Sequence, residues 1–303
     1  MSEMIKNRSE ILFLYDVTNS NPNGDPVDEN KPRIDEGTSV NIVTDVRLKR
    51  TIRDYLHDYK GKEIFIIGEI DDKGNLKTKE DRLNYFKDKD LVKECIDVRL
   101  FGATTAVKER TMTLTGPVQF KYGHSLHKVA LTFVKGTTVM PSKGGLAQGT
   151  FTEKYILPYS LIVFYGIVNE NAAINQNIPL SQEDVDLMTE AIWNGTKNLI
   201  SGSKFGQIPR LLIRVEYKEP NYYSGELDKR IKFISDKKDE EIRDIAEGVV
   251  DITELVDSIK EQTKAINCIY YRVDEHVKLQ YNGNSVHIDN ILFPDIKLEV
   301  LNF

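Results

Sequence analysis

The sequence predicts an α+β fold whose core follows the order strand, helix, strand, strand, helix, strand. Residues 11–17 and 159–165 are apolar on both alternating faces, which is typical of central strands covered on both sides. A helical period follows each of these runs, beginning near Thr44 and near Ser181. The order is that of ferredoxin-like folds, in which the first and third strands form the inner pair, and those are the two runs that are apolar on both faces.

The first strand ends in a loop rich in asparagine and proline. Proline fixes φ, and asparagine and glycine tolerate positive φ, so residues 19–26 should turn sharply and expose polar groups at the end of the strand. Asn19, Asn21 and Asn23 are therefore candidate binding residues.

The following helix begins near Thr44, whose side chain can accept hydrogen bonds from the free N–H groups of the first turn. Its apolar stripe should face the core, which places Lys49, Arg50 and Arg53 on the outer face. Arg47 lies at the margin of that face. The polar loop, the helix start and the outer cations together favour phosphate binding. The alternative is an ordinary solvated helix face, which is the default interpretation of charges on the outside of a helix.

The rest of the chain is divided by its patterns into segments around this core. The predicted segments are the start of the core at 1–60, an insertion at 61–126, an edge strand at 127–134, a long extension at 135–154, the rest of the core at 155–217 and a C-terminal segment at 218–303. The insertion should hold a short strand at 63–68 and helical turns at 82–86 and 90–95. Long extensions between neighbouring strands are usually functional or disordered.

The C-terminal segment begins with an acidic region whose apolar residues recur every three or four positions between 242 and 259. A heptad seam would produce this spacing, but docking of a helical region onto the protein's own sheet is the favoured interpretation. Strands are expected at 269–273, 277–281, 286–288 and 296–301, with a tight turn at Asn282-Gly283.

The composition is that of an ordinary globular protein. The 303 residues are 40% hydrophobic and 29% charged, with a net charge of −6, and no stretch has the pattern of a signal peptide or a membrane span, so a cytoplasmic location is expected. Cys95 and Cys268 are far apart and indicate neither a disulfide framework nor a zinc site. Residues 99–154 contain eight cations against two acidic residues, so one basic surface is compatible with the acidic total.

Four motifs in register carry a resemblance to a known family. They are FLYDVTNSNPNGDP at 13–26, VTDVRLKR at 43–50, DVRLFG at 97–102 and TGPVQF at 115–120, and the match continues through 210–217. The chain resembles the CRISPR-associated, RAMP-type backbone subunits of type I Cascade surveillance complexes, and its tail is most similar to the type I-B form.

The resemblance implies a hand-shaped protein with an RRM-like palm, a fingers insertion and a β-hairpin thumb. It also implies that several copies stack along a crRNA, hold its backbone and leave its bases free to pair with target DNA, together with other Cascade subunits and without a cofactor. The aromatic signature of base-reading RRM proteins is absent, which fits holding of the backbone.

These arguments yield a set of candidate RNA-binding residues, some from the local pattern and some from the resemblance. They are Asn19, Asn21, Asn23, Arg47, Lys49, Arg50, Arg53, Lys108, Arg110, Met140, Lys143, Lys154 and Lys204. In the extension, an apolar tip with Met140 would wedge between bases while lysines meet phosphates.

The alternative function is that of a metal-dependent ribonuclease. Clustered carboxylates can hold Mg²⁺ for phosphodiester cleavage, and the first loop region has four of them, Asp16, Asp25, Asp28 and Asp35. We favour the interpretation that they form turns and local hydrogen bonds. A nucleotide-binding enzyme has little support, because Gly144-Gly145 lacks the Walker Lys-Ser/Thr.

Overall fold

A computed structural model of the chain describes residues 3–107, 110–137, 151–291 and 293–303. The strands are β1 (Ser9–Ser20), β2 (Gly24–Asp25), β3 (Lys31–Pro32), β4 (Val40–Val43), β5 (Gly102–Val107), β6 (Arg110–Thr115), β7 (Val118–Phe120), β8 (Gly123–Lys128), β9 (Thr132–Thr137), β10 (Phe151–Val168), β11 (Gln207–Tyr217), β12 (Lys232–Ile234), β13 (Val249–Asp251), β14 (Ile266–Val273), β15 (Leu279–Tyr281), β16 (Asn284–Val286) and β17 (Lys297–Val300). The helices are α1 (Asp45–Asp58), α2 (Lys79–Tyr85), α3 (Leu91–Glu94), α4 (Ile96–Phe101), α5 (Glu170–Asn175), α6 (Gln182–Lys197) and α7 (Thr253–Glu261). No helix in the described ranges is long and apolar enough to cross a membrane.

A central sheet carries the fold, with the strand order β17-β14-β11-β1-β10-β8-β4. Strand β1 lies between β10 and β11 and is antiparallel to both. Its residues 11–14 are completely buried, because both faces of this strand are covered. The expectation that the first and third core strands lie side by side at the centre of an α+β protein is confirmed.

The two faces of the sheet belong to two separate cores. Phe13 and Tyr15 face helices α1 and α6. Leu12 and Leu14 face the C-terminal segment, where they share a core with residues such as Val250. Neither face of the central strands is therefore open to a ligand.

The C-terminal segment docks onto the sheet as expected, but not as a long helix. Only Thr253–Glu261 is α-helical in the region predicted to be helical, and Val249–Asp251 is a strand. The reason is Gly248, where an added Cβ would lie 2.5 Å from the Phe233 ring and 2.6 Å from the Ile234 carbonyl oxygen. The glycine lets this backbone approach β12 closely, so the spacing of three and four corresponds to an α-helix only in its last part, Thr253–Glu261.

The insertion has a small core of its own, built from Phe65, Leu83, Phe86 and neighbouring apolar residues. The predicted strand at 63–68 is wrong. This segment pairs with no strand of the described ranges, and the N–H groups of Phe65 and Ile66 instead donate to the carboxylate of Asp97 at 2.8 and 3.1 Å. The β5–β6 hairpin was not predicted.

The predicted edge strand at 127–134 divides into two strands, β8 and β9. Between them the chain leaves the sheet, because the N–H of Lys128 donates to Asp239 Oδ2 at 3.0 Å and the N–H of Val129 donates to the Ser39 carbonyl at 2.9 Å. Strand β9 pairs instead with the first residues of β10, which forms a hairpin beyond the main sheet. The predicted extension thus begins and ends in paired strands, and its residues 138–150 lie outside the described residues.

Candidate nucleic-acid interface

The first loop is fastened to the start of helix α1 by Asn23. Its Oδ1 accepts hydrogen bonds from the backbone N–H of Thr44 at 2.8 Å and from the Thr44 hydroxyl at 2.9 Å. Thr44 is the N-cap of the helix, and its hydroxyl oxygen accepts from the N–H of Arg47. The predicted helix start is confirmed, and the side chain of Asn23 is used inside the protein.

The first loop is also joined to a second loop, residues 199–206, which follows helix α6. The Ser203 carbonyl accepts from the Asn21 N–H at 2.8 Å and from the Ser20 hydroxyl at 3.0 Å. The side chain of Asn21 is buried and donates to the Asn30 carbonyl at 2.6 Å, whereas Asn19 is exposed with a φ of 49°. Among the three asparagines, only Asn19 presents its side chain to solvent.

Two of the helix cations do not lie on a solvated face. Lys49 is buried, and its Nζ donates to Asp45 Oδ2 and to Gln119 Oε1, each at 2.9 Å. Arg53 is also buried, and its Nε donates to Asp97 Oδ2 at 2.9 Å. The prediction that these two residues lie on the outer face is wrong, because the insertion packs over this side of the helix. Asp97 of the insertion pairs with Arg53, and Asp45 of the same helix pairs with Lys49.

Arg50 is exposed as expected, but it already has a partner on its own helix. Its Nε lies 2.6 and 2.9 Å from the two carboxylate oxygens of Asp54. A phosphate would have to compete with this carboxylate, so Arg50 offers less free positive charge than its exposure suggests.

Arg47 and Lys204, which we call the cation pair, are half-buried where the first and second loops meet. Arg47 donates to the Thr51 hydroxyl at 3.0 Å, and Lys204 Nζ lies 3.4 Å from the Ser203 hydroxyl. Neither forms an ion pair with a carboxylate of the described residues. Burial, followed by the nearby charge of Arg47, lowers the pKa of Lys204, and burial is also the main cause that lowers the pKa of Arg47.

The cation pair is the arrangement in this region best suited to bind an anion. Two like charges that are partly removed from water raise each other's energy, and an anionic ligand relieves that cost. The charge of Asp54 acts in the opposite direction on the pKa of Arg47, but Asp54 forms its ion pair with Arg50. The positive end of the helix dipole favours negative charge near the start of α1 as well.

Lys154 extends this positive region onto the β9–β10 hairpin. It is exposed, and its Nζ donates to the Gly202 carbonyl in the second loop at 3.0 Å. Lys108, Met140 and Lys143 lie outside the described residues, as does the side chain of Arg110.

The acidic residues of the ribonuclease alternative have other partners. Asp16 is buried and accepts hydrogen bonds from Arg210 at 2.9 Å and from the Tyr159 hydroxyl at 3.0 Å. Burial is the main cause that raises the pKa of Asp16, and Arg210 opposes it.

The loop acids form turns and a surface ion pair. Asp25 accepts from the Val27 N–H at 3.0 Å, and Asp28 pairs with Lys31 at 2.6 Å. Asp35 accepts from two backbone N–H groups, of which that of Thr38 is the main cause that lowers the pKa of Asp35. In the described ranges, no three acidic, histidine or cysteine residues come together as metal ligands.

Sequence reasoning missed the role of the second loop apart from Lys204. Ser203 joins the two loops, and Phe205 presents its ring to solvent with 72% of the residue exposed. The signal was present in the run Gly202-Ser203-Lys204-Phe205-Gly206, which places a cation and an aromatic ring between two glycines after a helix.

Two chains of solved structures have a fold similar to that of this chain. The chain is similar to a chain of a CRISPR RNA-guided surveillance complex in a pre-nicking state, with a TM-score of 0.56 and 14% identity, over 91% of this chain and 96% of that one. A chain of another CRISPR RNA-guided surveillance complex matches with a TM-score of 0.53 and 15% identity, over 91% and 94% of the two chains.

Sequence comparison then identifies the family. The family model described as CRISPR-associated protein Cas7 matches residues 7–253. A CRISPR-associated protein Cas7 from Haloferax volcanii is 33% identical, over 93% of this chain and 92% of its own length. The chain belongs to the Cas7 family.

Proposed function

We propose that this chain is a non-catalytic, crRNA-binding backbone subunit that oligomerises along the guide RNA and presents it for pairing with target DNA. Family membership supports this function, and the partners would be the crRNA, further copies of the chain and other Cascade subunits. The type I-B subgroup and the cytoplasmic location stay predictions.

In this proposal the six core elements form an RRM-like palm, the insertion forms the fingers and the β9–β10 hairpin is the base of the thumb. The strand order β11-β1-β10-β8 supports the palm, because it is the order of ferredoxin-like sheets. The separate small core of the insertion supports its assignment as a distinct unit.

The observation that carries the proposal is the cation pair. Arg47 lies in the first turn of α1, and Lys204 lies in the second loop. Hydrogen bonds join the first loop to both of these elements. Neither cation forms an ion pair with a carboxylate in the described part of the chain. Both faces of the central sheet are covered, so bases cannot stack there as they do on open RRM sheets. This combination supports holding of the sugar-phosphate backbone without reading of the sequence.

The cation pair and Lys154 are therefore the proposed phosphate contacts, with Arg50 as a weaker one. Lys49 and Arg53 are left out, because their charges are neutralised inside the protein. The four acidic residues of the alternative are engaged in turns and ion pairs, which supports a non-catalytic role.

The test is the salt dependence of RNA binding by Arg47→Ala and Lys204→Ala. Loss of a phosphate contact should weaken binding to two unrelated RNAs alike and reduce the slope of log K against log[salt] by about 0.7 for each cation. Lys232→Ala is a matched control, since this exposed lysine pairs with Glu254 in the C-terminal segment. Unchanged affinity and slope in both variants would contradict the proposed interface, and Mg²⁺-dependent RNA cleavage abolished by Asp25→Ala would favour the ribonuclease.

A further inference from the structure

The second loop presents a large aromatic ring on a fixed backbone. Phe205 is 72% exposed, which makes it the most exposed aromatic residue in the described ranges. The Phe205 N–H donates to the Ser201 carbonyl at 3.2 Å, and the Lys204 N–H donates to the Ser201 hydroxyl at 3.1 Å. The loop is tied to the first loop through Ser203. Local hydrogen bonds therefore fix the backbone that carries the exposed ring.

Two other exposed aromatic residues have ring partners in their surroundings. Tyr59 stacks on Tyr55 with ring centroids 5.0 Å apart, and Tyr85 meets Phe86 edge to face at 4.8 Å. Phe205 has no ring or cation contact of this kind among the described residues. Its exposure leaves a ring face available to a ligand.

The surroundings of Phe205 identify what that ligand would be. The neighbouring residue in the chain is Lys204, whose charge and that of Arg47 lack carboxylate partners in the described part of the chain. An exposed ring next in the chain to a cation without an ion-pair partner in the described ranges is a combination that suits single-stranded nucleic acid, where cations meet phosphates and the ring stacks on a base. A protein partner would match the apolar ring, but it would leave both cations without counter-ions unless it were acidic.

We propose that Phe205 stacks on one base of the RNA strand whose phosphates are held by Arg47 and Lys204. This inference rests on the proposed function and adds a base contact to a site that otherwise holds only the backbone. The contact tolerates any sequence, because every base has a π-face, but it requires that a base be present.

The first test compares wild type with Phe205→Ala on a short oligoadenylate and on an abasic RNA of the same length. The alanine variant should bind the oligoadenylate about 5- to 150-fold more weakly, which corresponds to about 1–3 kcal/mol per stacked base, with an unchanged salt slope. On the abasic RNA the two proteins should bind equally. Tyr122→Ala removes a ring of similar exposure, 55%, outside the second loop, and should behave as wild type.

A second variant keeps the contact and reports on it. Phe205→Trp should retain the affinity for oligoadenylate, and its indole fluorescence should be quenched on binding, whereas Trp193 is only 5% exposed and should contribute a constant background. Equal affinity of wild type and Phe205→Ala for oligoadenylate would overturn the proposal, as would an equal loss on the abasic RNA. A variant that binds RNA normally but fails to assemble would assign Phe205 to a protein contact instead.

Failure of this inference is distinguishable from failure of the proposed function. If the phosphate contacts are wrong, Arg47→Ala and Lys204→Ala leave the salt slope unchanged whatever Phe205 does. If only the stacking is wrong, those two variants lose affinity while Phe205→Ala does not.

Discussion

Substitution of Arg53 distinguishes a phosphate ligand from a structural ion pair. If Arg53 held RNA, Arg53→Ala would reduce the salt slope of binding by about 0.7 and leave the free energy of unfolding unchanged. The structure predicts the opposite outcome. The guanidinium and the carboxylate of Asp97 are buried with an Nε–Oδ2 distance of 2.9 Å, and the Arg53 side chain also lies over the Phe101 ring at 5.1 Å.

The loss in free energy of unfolding depends on whether Arg53 or Asp97 is substituted. Arg53→Ala leaves the Asp97 carboxylate with two backbone donors, those of Phe65 and Ile66, so we expect a loss near the lower end for broken buried pairs, about 3 kcal/mol. Asp97→Ala leaves a buried guanidinium and both N–H groups without their acceptor, so its cost should be about 5 kcal/mol.

The assay is urea unfolding together with RNA binding over a salt series. Both variants should lower the urea midpoint, and a double-mutant cycle should show strong coupling between the two positions. Arg50→Ala is the control on the same helix, because its exposed pair with Asp54 should contribute about 0.5 kcal/mol or less. A wild-type urea midpoint for Arg53→Ala, combined with a reduced salt slope, would refute the structural reasoning.

Three further predictions concern the loops and the hairpin. Because the pKa of Lys204 is lowered by burial and by Arg47, its contribution to RNA affinity should fall as pH rises, at a lower pH than for an ordinary lysine, and Arg47→Ala should shift this loss to higher pH in a binding titration. Asn23→Ala removes two hydrogen bonds to Thr44 and should destabilise the protein by about 1–3 kcal/mol in urea unfolding, whereas an unchanged midpoint would show that the loop is not fastened there. Replacement of residues 138–150 by a short turn should leave the palm folded, since the strand pairs of the central sheet are untouched, and should stop copies from assembling regularly on RNA. Uniform multi-copy filaments of normal length, seen by electron microscopy, would rule out the thumb role.

Local patterns predicted the elements whose surroundings are uniform. The apolar run of β1 identified a central strand because it is covered on both faces, and helix α6 begins beside Ser181 as expected, where Ser181 and Asp184 form a capping box. The tight turn at Asn282-Gly283 is also confirmed, with φ values of 50° and 76°. In each case, the residues within a few positions determine the conformation.

Elements that depend on distant contacts could not be predicted in this way. Residues 63–68 look like a strand, yet their N–H groups bond to the side chain of Asp97 instead of to another strand. The period of helix α1 correctly groups Lys49 and Arg53 apart from the apolar stripe, but periodicity does not tell whether water or the insertion covers that side. The location of the candidate site at the loop and helix start therefore stays a prediction, whereas the placement of Lys49 and Arg53 on the outer face is wrong.

Three of the four motifs that carry the family resemblance lie at the contact between the insertion and helix α1. Lys49 in the second motif bonds to Gln119 in the fourth, and Arg53, just beyond the second motif, bonds to Asp97 in the third. The third and fourth motifs also meet at two glycines. An added Cβ on Gly102 would lie 2.4 Å from the Gly116 nitrogen, and one on Gly116 would lie 2.3 Å from the Gly102 nitrogen.

These contacts separate the residues that position the insertion from those left free to meet a ligand. A side chain at either glycine, or a neutral residue at position 53 or 97, would displace the insertion and affect stability before it affects binding. The second loop lies outside all four motifs. Among the described residues, its Lys204 and Phe205 form no hydrogen bond or ion pair with the insertion. Substitution of Lys204 or Phe205 should therefore change RNA affinity at constant stability, whereas substitution at the two glycines or at positions 53 and 97 should change stability first.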